Sequence, residues 1–169
     1  VQSLVNLLMT EQEYTQEEIS YSRKEDCRII EAVLKNWFKD PKALNFVSTS
    51  LPFPFRFKKW FMVSYAKHQD EIKTLVIKLD NWIVGHLSMR LLNNNAHLFH
   101  LFIDPKHRKK GLAEKLVNTL ENLGKDLGAK TFSLFVQPKN DAAKKLYEKL
   151  GYEEIGRSGT HSVRMEKTA

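Results

Sequence analysis

The chain has 169 residues, enough for one ordinary domain with its own core. Its 42% hydrophobic and 28% charged residues mark a globular chain, and its apolar runs are too short to cross a bilayer. A net charge of +7 favours anionic partners, while the single cysteine, Cys27, excludes an intrachain disulfide and a multi-cysteine metal site and fits a reducing cytoplasmic setting.

Val1 to Thr10 lacks a basic leader and does not read as a signal peptide. Residues 1–16 read as an N-terminal extension, with a short helix as one option, to a single domain spanning 1–169. Glu17 to Arg23 is a candidate first strand. Asp26 is placed as an N-cap, followed by Cys27, Ile30, Val33, Leu34 and Trp37 at helical spacing. A second helix is expected over Lys42 to Val47, and a third over Arg56 to Ala66. Thr74 to Leu79 and Trp82 to Leu91 read as strands joined by a turn at Asp80-Asn81. Asn93-Asn94-Asn95 is a turn, and His97 to Ile103 another strand.

Gly111 to Leu127 is an amphipathic helix with Leu112, Leu116, Leu120, Leu123 and Leu127 on one face, stopped by Gly128. Thr131 to Val136 is a strand, Asn140 to Leu150 a helix, and two short strands follow near Tyr152 to Ser158 and Ser162 to Glu166. Strands flanking a long helix should be parallel neighbours joined by a right-handed crossover. The fold class is therefore α/β: one mixed sheet of about six to seven strands with helices on both faces.

The informative stretch runs from Leu101 to Ala113. A strand ends, a basic loop of Lys106-His107-Arg108-Lys109-Lys110 follows, and a helix opens at Gly111. The first helical turn carries unpaired N–H groups and the positive end of the helix dipole. Gly111 and Ala113 have almost no side chain, so an anionic ligand can reach that backbone, as in a diphosphate cradle. Neither G-x-x-x-x-G-K-[ST] nor G-x-G-x-x-G occurs, which removes the main support for nucleoside triphosphate and dinucleotide readings.

Arg108, Gly111 and Ala113, after Ile103-Asp104-Pro105, resemble the R/Q-x-x-G-x-G/A signature of the GNAT superfamily of N-acetyltransferases. Asn140, Ala143, Tyr147 and Gly151-Tyr152 resemble the family's second signature, and Ile83-Val84-Gly85 looks like its third strand. The likeness runs from about Leu75 to Gly156 and fades toward the N-terminus, where the family's substrate-binding helices usually lie.

The resemblance implies a twisted mixed sheet with a splayed parallel strand pair, and acetyl-CoA as acetyl donor without a metal. It also implies roles. The backbone of Leu101, Phe102 and Ile103 would pair with the pantetheine arm, and an N–H near Ile103 would polarise the thioester carbonyl. Arg108 and the amides of Lys109, Lys110, Gly111, Leu112, Ala113 and Glu114 would hold the diphosphate. Asn140 would touch the pantetheine, and Tyr147 would protonate the departing thiolate. Some family members carry a Glu base where this chain has Phe135, while others place a Glu or a His at the position of His97, so the resemblance makes His97 the candidate base, its imidazole titrating near the working pH. His100, of opposite parity, should face the other side of the sheet unless the strand is bulged.

Structural readings stand beside these. Gly111 and the basic run would serve in any solvated loop before a helix, Asn140 in any N-cap, and Tyr147 in any apolar stripe with Ala143, Leu146 and Leu150. Cys27 sits on an apolar stripe, which favours a buried thiol and direct transfer in a ternary complex. Phe53 to Phe61 reads as core and lid at the border of the acceptor site. The expected function is transfer of an acetyl group to a primary amine, in a small molecule, a protein N-terminus or a lysine, with a homodimer left open. The alternative is a non-catalytic acyl-CoA-binding module. Nucleic-acid binding is disfavoured because no helix-turn-helix, RNP or zinc-finger pattern occurs.

Overall fold

A computed structural model describes residues 13–158 and 162–169. Among the described residues seven strands form one sheet in the order β1-β2-β3-β4-β5-β7-β6. Their ranges are β1 Tyr14–Ile19, β2 Ile72–Leu79, β3 Trp82–Leu92, β4 Asn95–Ile103, β5 Thr131–Val136, β6 Glu153–Ser158 and β7 Ser162–Thr168. The helices are α1 Lys24–Trp37, α2 Pro41–Val47, α3 Phe57–Ser64, α4 Leu112–Asp126 and α5 Asp141–Lys149.

The β2–β3 and β3–β4 hairpins form because Asp80-Asn81 and Asn93-Asn94 all take positive φ, between 51° and 67°. Two consecutive left-handed residues give the turn whose twist matches antiparallel strands, and Asn and Asp tolerate that conformation best after glycine. β4 therefore starts at Asn95, two residues earlier than the sequence pattern suggests.

Two corrections concern the N-terminal third. Among the described residues the first strand is Tyr14–Ile19, not Glu17 to Arg23: it lies at the end of the strand order, paired there only with β2, and four of its six residues are exposed, so no apolar alternation marks its start. Tyr14 to Gln16 are thus strand. The rest of the expected N-terminal helix, like the reading of Val1 to Thr10, lies outside the described residues. Likewise α1 starts at Lys24 with Arg23 as N-cap, not Asp26. Asp26 instead sits in the first turn, where its carboxylate accepts from Ser20 N–H at 2.9 Å and pairs with Arg23 Nε at 2.9 Å. A carboxylate at that position also meets the positive helix end.

The sheet separates two apolar layers. On one face α4 buries Leu112, Leu116, Val117 and Leu120, and α5 buries Tyr147, against Ile77, Leu87, Leu98 and Phe132. On the other, α1 to α3 bury Ile30, Leu34, Trp37 and Trp60 against Val76 and Phe102. At ~25 cal/mol per Å² of apolar area removed from water, such layers are the main source of stability.

The β4–β5 junction positions the site. These strands are parallel, with α4 as their crossover, but their pairing covers only Asn95↔Thr131, Ala96↔Phe132 and His97↔Ser133. Beyond that point β5 continues paired to β7 out to Val136↔Val163, while β4 continues against β3 out to Ile103↔Gly85. The sheet opens between them.

Candidate active site

The opening leads into a cleft of about 820 Å³. One wall is the end of β4, Leu101 to Ile103; another is the loop into α4; the opposite side is Asn140, Ala143 and Leu146 at the start of α5. Ten of the eleven residues expected to hold the cofactor line it: Leu101, Phe102, Ile103, Arg108, Lys109, Gly111, Leu112, Ala113, Glu114 and Asn140. Lys110 does not. Its Nζ donates to Tyr14 Oη at 3.3 Å, which directs the side chain toward β1.

The loop is built from local interactions. The Asp104 carboxylate accepts from Lys106 N–H at 3.0 Å, capping a single 3₁₀ turn over Pro105–His107. Arg108 folds back so that Nε–H donates to the Ile103 carbonyl at 3.0 Å, and its guanidinium lies 5.2 Å from the centre of the Phe102 ring. Lys109 and Gly111 both adopt the left-handed conformation, at φ 63° and 75°. Gly111 is the N-cap of α4, and the first bond across its turn is Lys115 N–H to the Gly111 carbonyl at 3.1 Å. The amides of Leu112, Ala113 and Glu114 precede that bond and so have no acceptor within the helix. A Cβ on Gly111 would meet nothing within 4 Å, so the space in front of this backbone is open. Glu114, the one acid in the first turn, is paired with Lys149 Nζ at 3.0 Å. These free donors, the positive end of the helix dipole and Arg108 and Lys109 give the mouth of the cleft the chemistry to receive an anion, while Lys149 is engaged by Glu114.

Asn140 caps and lines at once: its Oδ1 accepts from Ala143 N–H at 3.3 Å while the residue borders the cleft. Tyr147 is 7% exposed and packs edge-on against Tyr152, with ring centres 5.8 Å apart. Burial pushes its phenol pKa up, so the hydroxyl stays protonated. It does not border the cleft itself, although Ala143 and Leu146 on the same helix do.

His97 stands at the apex of the opening, opposite Ser133 in the last parallel pair. Its Nδ1 lies 2.9 Å from Ser133 Oγ. Asn95 Nδ2 donates to the same oxygen at 3.0 Å, with the amide oriented by Thr131 Oγ1 donating to Asn95 Oδ1 at 2.8 Å. Ser133 is fully buried, and among the described residues His97 Nδ1 is the acceptor left for its proton. His97 then carries its hydrogen on Nε2. Burial first, then Arg164 and Arg90, push its pKa down to about 4. The expectation that this ring titrates near the working pH is therefore corrected: it is neutral and weakly basic, because it is desolvated beside two guanidinium groups.

His100 corrects a second expectation. Ser88 pairs with Phe99 and His86 with Phe102, so β4 holds one more residue than β3 over this interval. This is a bulge, and His100 within it takes φ 58°. The alternation of faces is reset, and the His100 ring lies on the same face as Phe99 and Phe102, stacked on Trp60 at 3.8 Å and bonded through Nδ1 to Tyr65 Oη at 2.8 Å.

The wall that sequence reasoning missed comes from α1 and α2. Trp37, Asp40, Lys42, Ala43, Phe46 and Val47 line the cleft, and the Asp40 carboxylate caps α2 at Lys42 N–H, 3.0 Å. The alternation of exposed Lys42 and Asn45 with Ala43, Phe46 and Val47 was the available signal. The aromatic segment Phe53 to Phe61 does not line the cleft; Trp60 is fully buried and Phe55 packs on it with ring centres 5.8 Å apart. Cys27 Sγ–H donates to the Tyr21 carbonyl at 3.1 Å, burial raises its pKa, and it does not line the cleft. Among the described residues no cluster of three or more His, Cys, Asp or Glu could hold a metal ion, and no helix is long and apolar enough to cross a membrane.

Comparison with known proteins agrees with this geometry. Over 76 residues the chain is 37% identical to a ribosomal protein bS18 alanine N-acetyltransferase from Haemophilus ducreyi, a match covering 45% of this chain and 52% of that one. Over 68 residues it is 34% identical to N-acetyltransferase 8 of Homo sapiens, covering 40% of this chain and 30% of that one. The matches thus span about a third to a half of the length of these relatives. The fold is similar to the crystal structure of the PaiA N-acetyltransferase from Thermoplasma acidophilum in complex with coenzyme A, with a TM-score of 0.71, 20% identity, and coverage of 93% of this chain and 99% of that one. The model of the acetyltransferase (GNAT) family matches residues 32–152, most of the chain and every residue that lines the cleft, and the chain belongs to that family.

Proposed function

We propose that the protein transfers an acetyl group from acetyl-CoA to a primary amine by direct attack in a ternary complex. The observation that carries this reading is the cleft itself. It is a slot between two parallel strands whose pairing ends at His97↔Ser133, with a helix N-terminus opened by a left-handed glycine at its mouth. An extended thioester carrying a diphosphate matches both parts.

Acetyl-CoA supplies an acyl group on a thiol leaving group. The amides of Leu112, Ala113 and Glu114 and the side chain of Arg108 bind its diphosphate, and Lys109 adds charge. Leu101 to Ile103 offer the peptide edge that β5 leaves unpaired and so take an extended arm as an added strand would. The amine nitrogen bonds to the thioester carbon, the C–S bond breaks, and the Tyr147 hydroxyl gives the sulfur its proton through an intervening water, since the ring itself does not border the cleft; solvent then reprotonates the phenolate. A phenol, near 10 in water and higher here, is protonated at pH 7, as this role requires. His97, neutral with its lone pair on Ser133, orients the apex, and the amine proton leaves through water.

The +7 charge suits an acidic macromolecular acceptor, and a relative named for an alanine of a ribosomal protein puts peptide amines first in the screen, beside small amines. The test is calorimetric titration with acetyl-CoA, run beside thiol release on peptides and small amines. Micromolar binding with release on one class establishes the reaction and the acceptor. Binding without release on any amine would make this an acyl-CoA-binding module, and no binding would overturn the reading.

A further inference from the structure

A buried chain of polar groups lies behind the β4 bulge, outside the cleft. His86 on β3 is 1% exposed. Its Nδ1 is 2.8 Å from the His100 carbonyl and its Nε2 is 2.9 Å from Tyr21 Oη. Trp60 Nε1 lies 3.1 Å from the same Tyr21 oxygen.

The proton positions follow from donor and acceptor types. A carbonyl only accepts, so His86 Nδ1 carries a hydrogen and donates it to His100. An indole N–H only donates, so Tyr21 Oη accepts from Trp60 and gives its own proton to His86 Nε2. Every group is satisfied with His86 neutral, and all bonds run one way: Trp60 to Tyr21 to His86 to the His100 carbonyl.

The last acceptor matters most. The bulge sets His100 and Leu101 together opposite Leu87, outside the regular register. A buried carbonyl without a partner is costly, and a non-glycine residue at φ 58° holds that angle only when its surroundings impose it. His86 gives that carbonyl a side-chain donor at 2.8 Å. The residue after His100 is Leu101, where the cleft wall begins.

We propose that His86 is a positioning residue: by holding the His100 carbonyl it fixes the bulge and the peptide edge at Leu101 against which the acyl thioester is aligned. The proposal rests on the acetyl-transfer reading for its kinetic consequence, but not for its geometry. His86 touches neither substrate and acts through β4.

The first test needs no ligand. Imidazole ¹⁵N–¹H spectra of the free protein should show His86 in the Nδ1–H form; an Nε2–H form overturns the proposal. Kinetics then separate positioning from packing. His86→Leu should lower kcat about 10- to 100-fold, the scale of a misplacement near 1 Å, while CoA affinity stays within about threefold. His86→Asn, which keeps a donor at the δ position, should recover most of the rate, and His86→Gln should not. Leu34→Ala, a truncation in the same core layer, should cost stability while leaving kcat within about threefold. An Asn variant as slow as the Leu variant, or a Leu34→Ala variant equally slow, refutes the proposal. Should His86→Leu fail to fold, the Asn and Gln pair decides. Should the wild-type protein release no thiol on any amine, acetyl transfer fails by itself. The Leu101 amide shift on adding CoA then decides for His86: retained in the Asn variant and lost in the Gln variant, or the proposal is wrong.

Discussion

Gly111 allows the anion cradle to be tested with two substitutions that share one effect and differ in another. Its φ of 75° is left-handed, so any Cβ there costs ~1–2 kcal/mol of backbone strain. Gly111→Ala and Gly111→Asp should therefore lose similar stability, read as a fall in Tm of a few degrees. Space is no obstacle, since a Cβ would meet nothing within 4 Å. Charge separates them. A carboxylate ~6 Å from a diphosphate oxygen, at an effective dielectric of roughly 20 to 80, opposes each unit charge by about 0.7–3 kcal/mol. Gly111→Asp should weaken CoA binding by roughly 3- to 150-fold for each charge opposed, and Gly111→Ala by no more than about twofold. Calorimetric titration at low and high salt is the assay, and the Asp penalty should shrink as salt screens it. Wild-type affinity in Gly111→Asp, or an equal loss in both variants, would refute a diphosphate at this helix end.

Other substitutions bear on the rest of the site. Tyr147→Phe should lower kcat by about 10²-fold with CoA affinity within about twofold; an unchanged kcat in single-turnover assays would assign the ring to packing. His97→Gln should leave the shape of the kcat/KM pH profile above pH 5 unchanged, because the ring is already neutral there; loss of an inflection would make His97 the base. Gly85→Ala puts a Cβ 2.5 Å from Ile77 Cγ2 and 2.8 Å from Ile103 Cδ1, so stability should fall by about 1–3 kcal/mol, and CoA affinity should fall as Ile103 shifts. Wild-type Tm and affinity would contradict this. Finally, His86 and His97, both lowered to about 4 chiefly by burial, bind protons in the unfolded chain from about pH 6.5 downward but in the folded protein only near 4. Stability should thus fall between pH 7 and pH 5, by about 2 kcal/mol for each ring, with His100 adding to it. Urea midpoints across that window are the check, and a flat profile would contradict the burial of these rings as neutral species.

Much of this architecture could be read from residues alone, for identifiable reasons. α4 and α5 announce themselves because their apolar residues recur at helical spacing and glycines stop them. The hairpins follow from Asp-Asn and Asn-Asn pairs, which favour left-handed turns. The loop that opens α4 was legible because a basic run, a glycine and a helix start are contiguous in sequence. The bulge at His100 was not, since one extra residue without a glycine leaves no pattern in a strand that is apolar on both faces. The ionisation of His97 was hidden for a similar reason: its partners Ser133, Arg90 and Arg164 are brought together only by pairing across three strands. The α2 helix was itself legible, but that its Ala43, Phe46 and Val47 face the cleft was not, because that depends on how the helix packs against the end of β4.

The three-residue junction between β4 and β5 also bears on how the molecule holds together. β1 to β4 form one plank and β5, β7 and β6 another, and the seam between them is the shortest ladder in the sheet. A ligand lying in the slot would touch both planks and act as a spline, replacing hydrogen bonds the backbone forgoes there. Occupancy should then slow amide exchange across the whole far plank, well beyond the residues a ligand touches, so that the strength of the fold and the filling of its site become one quantity.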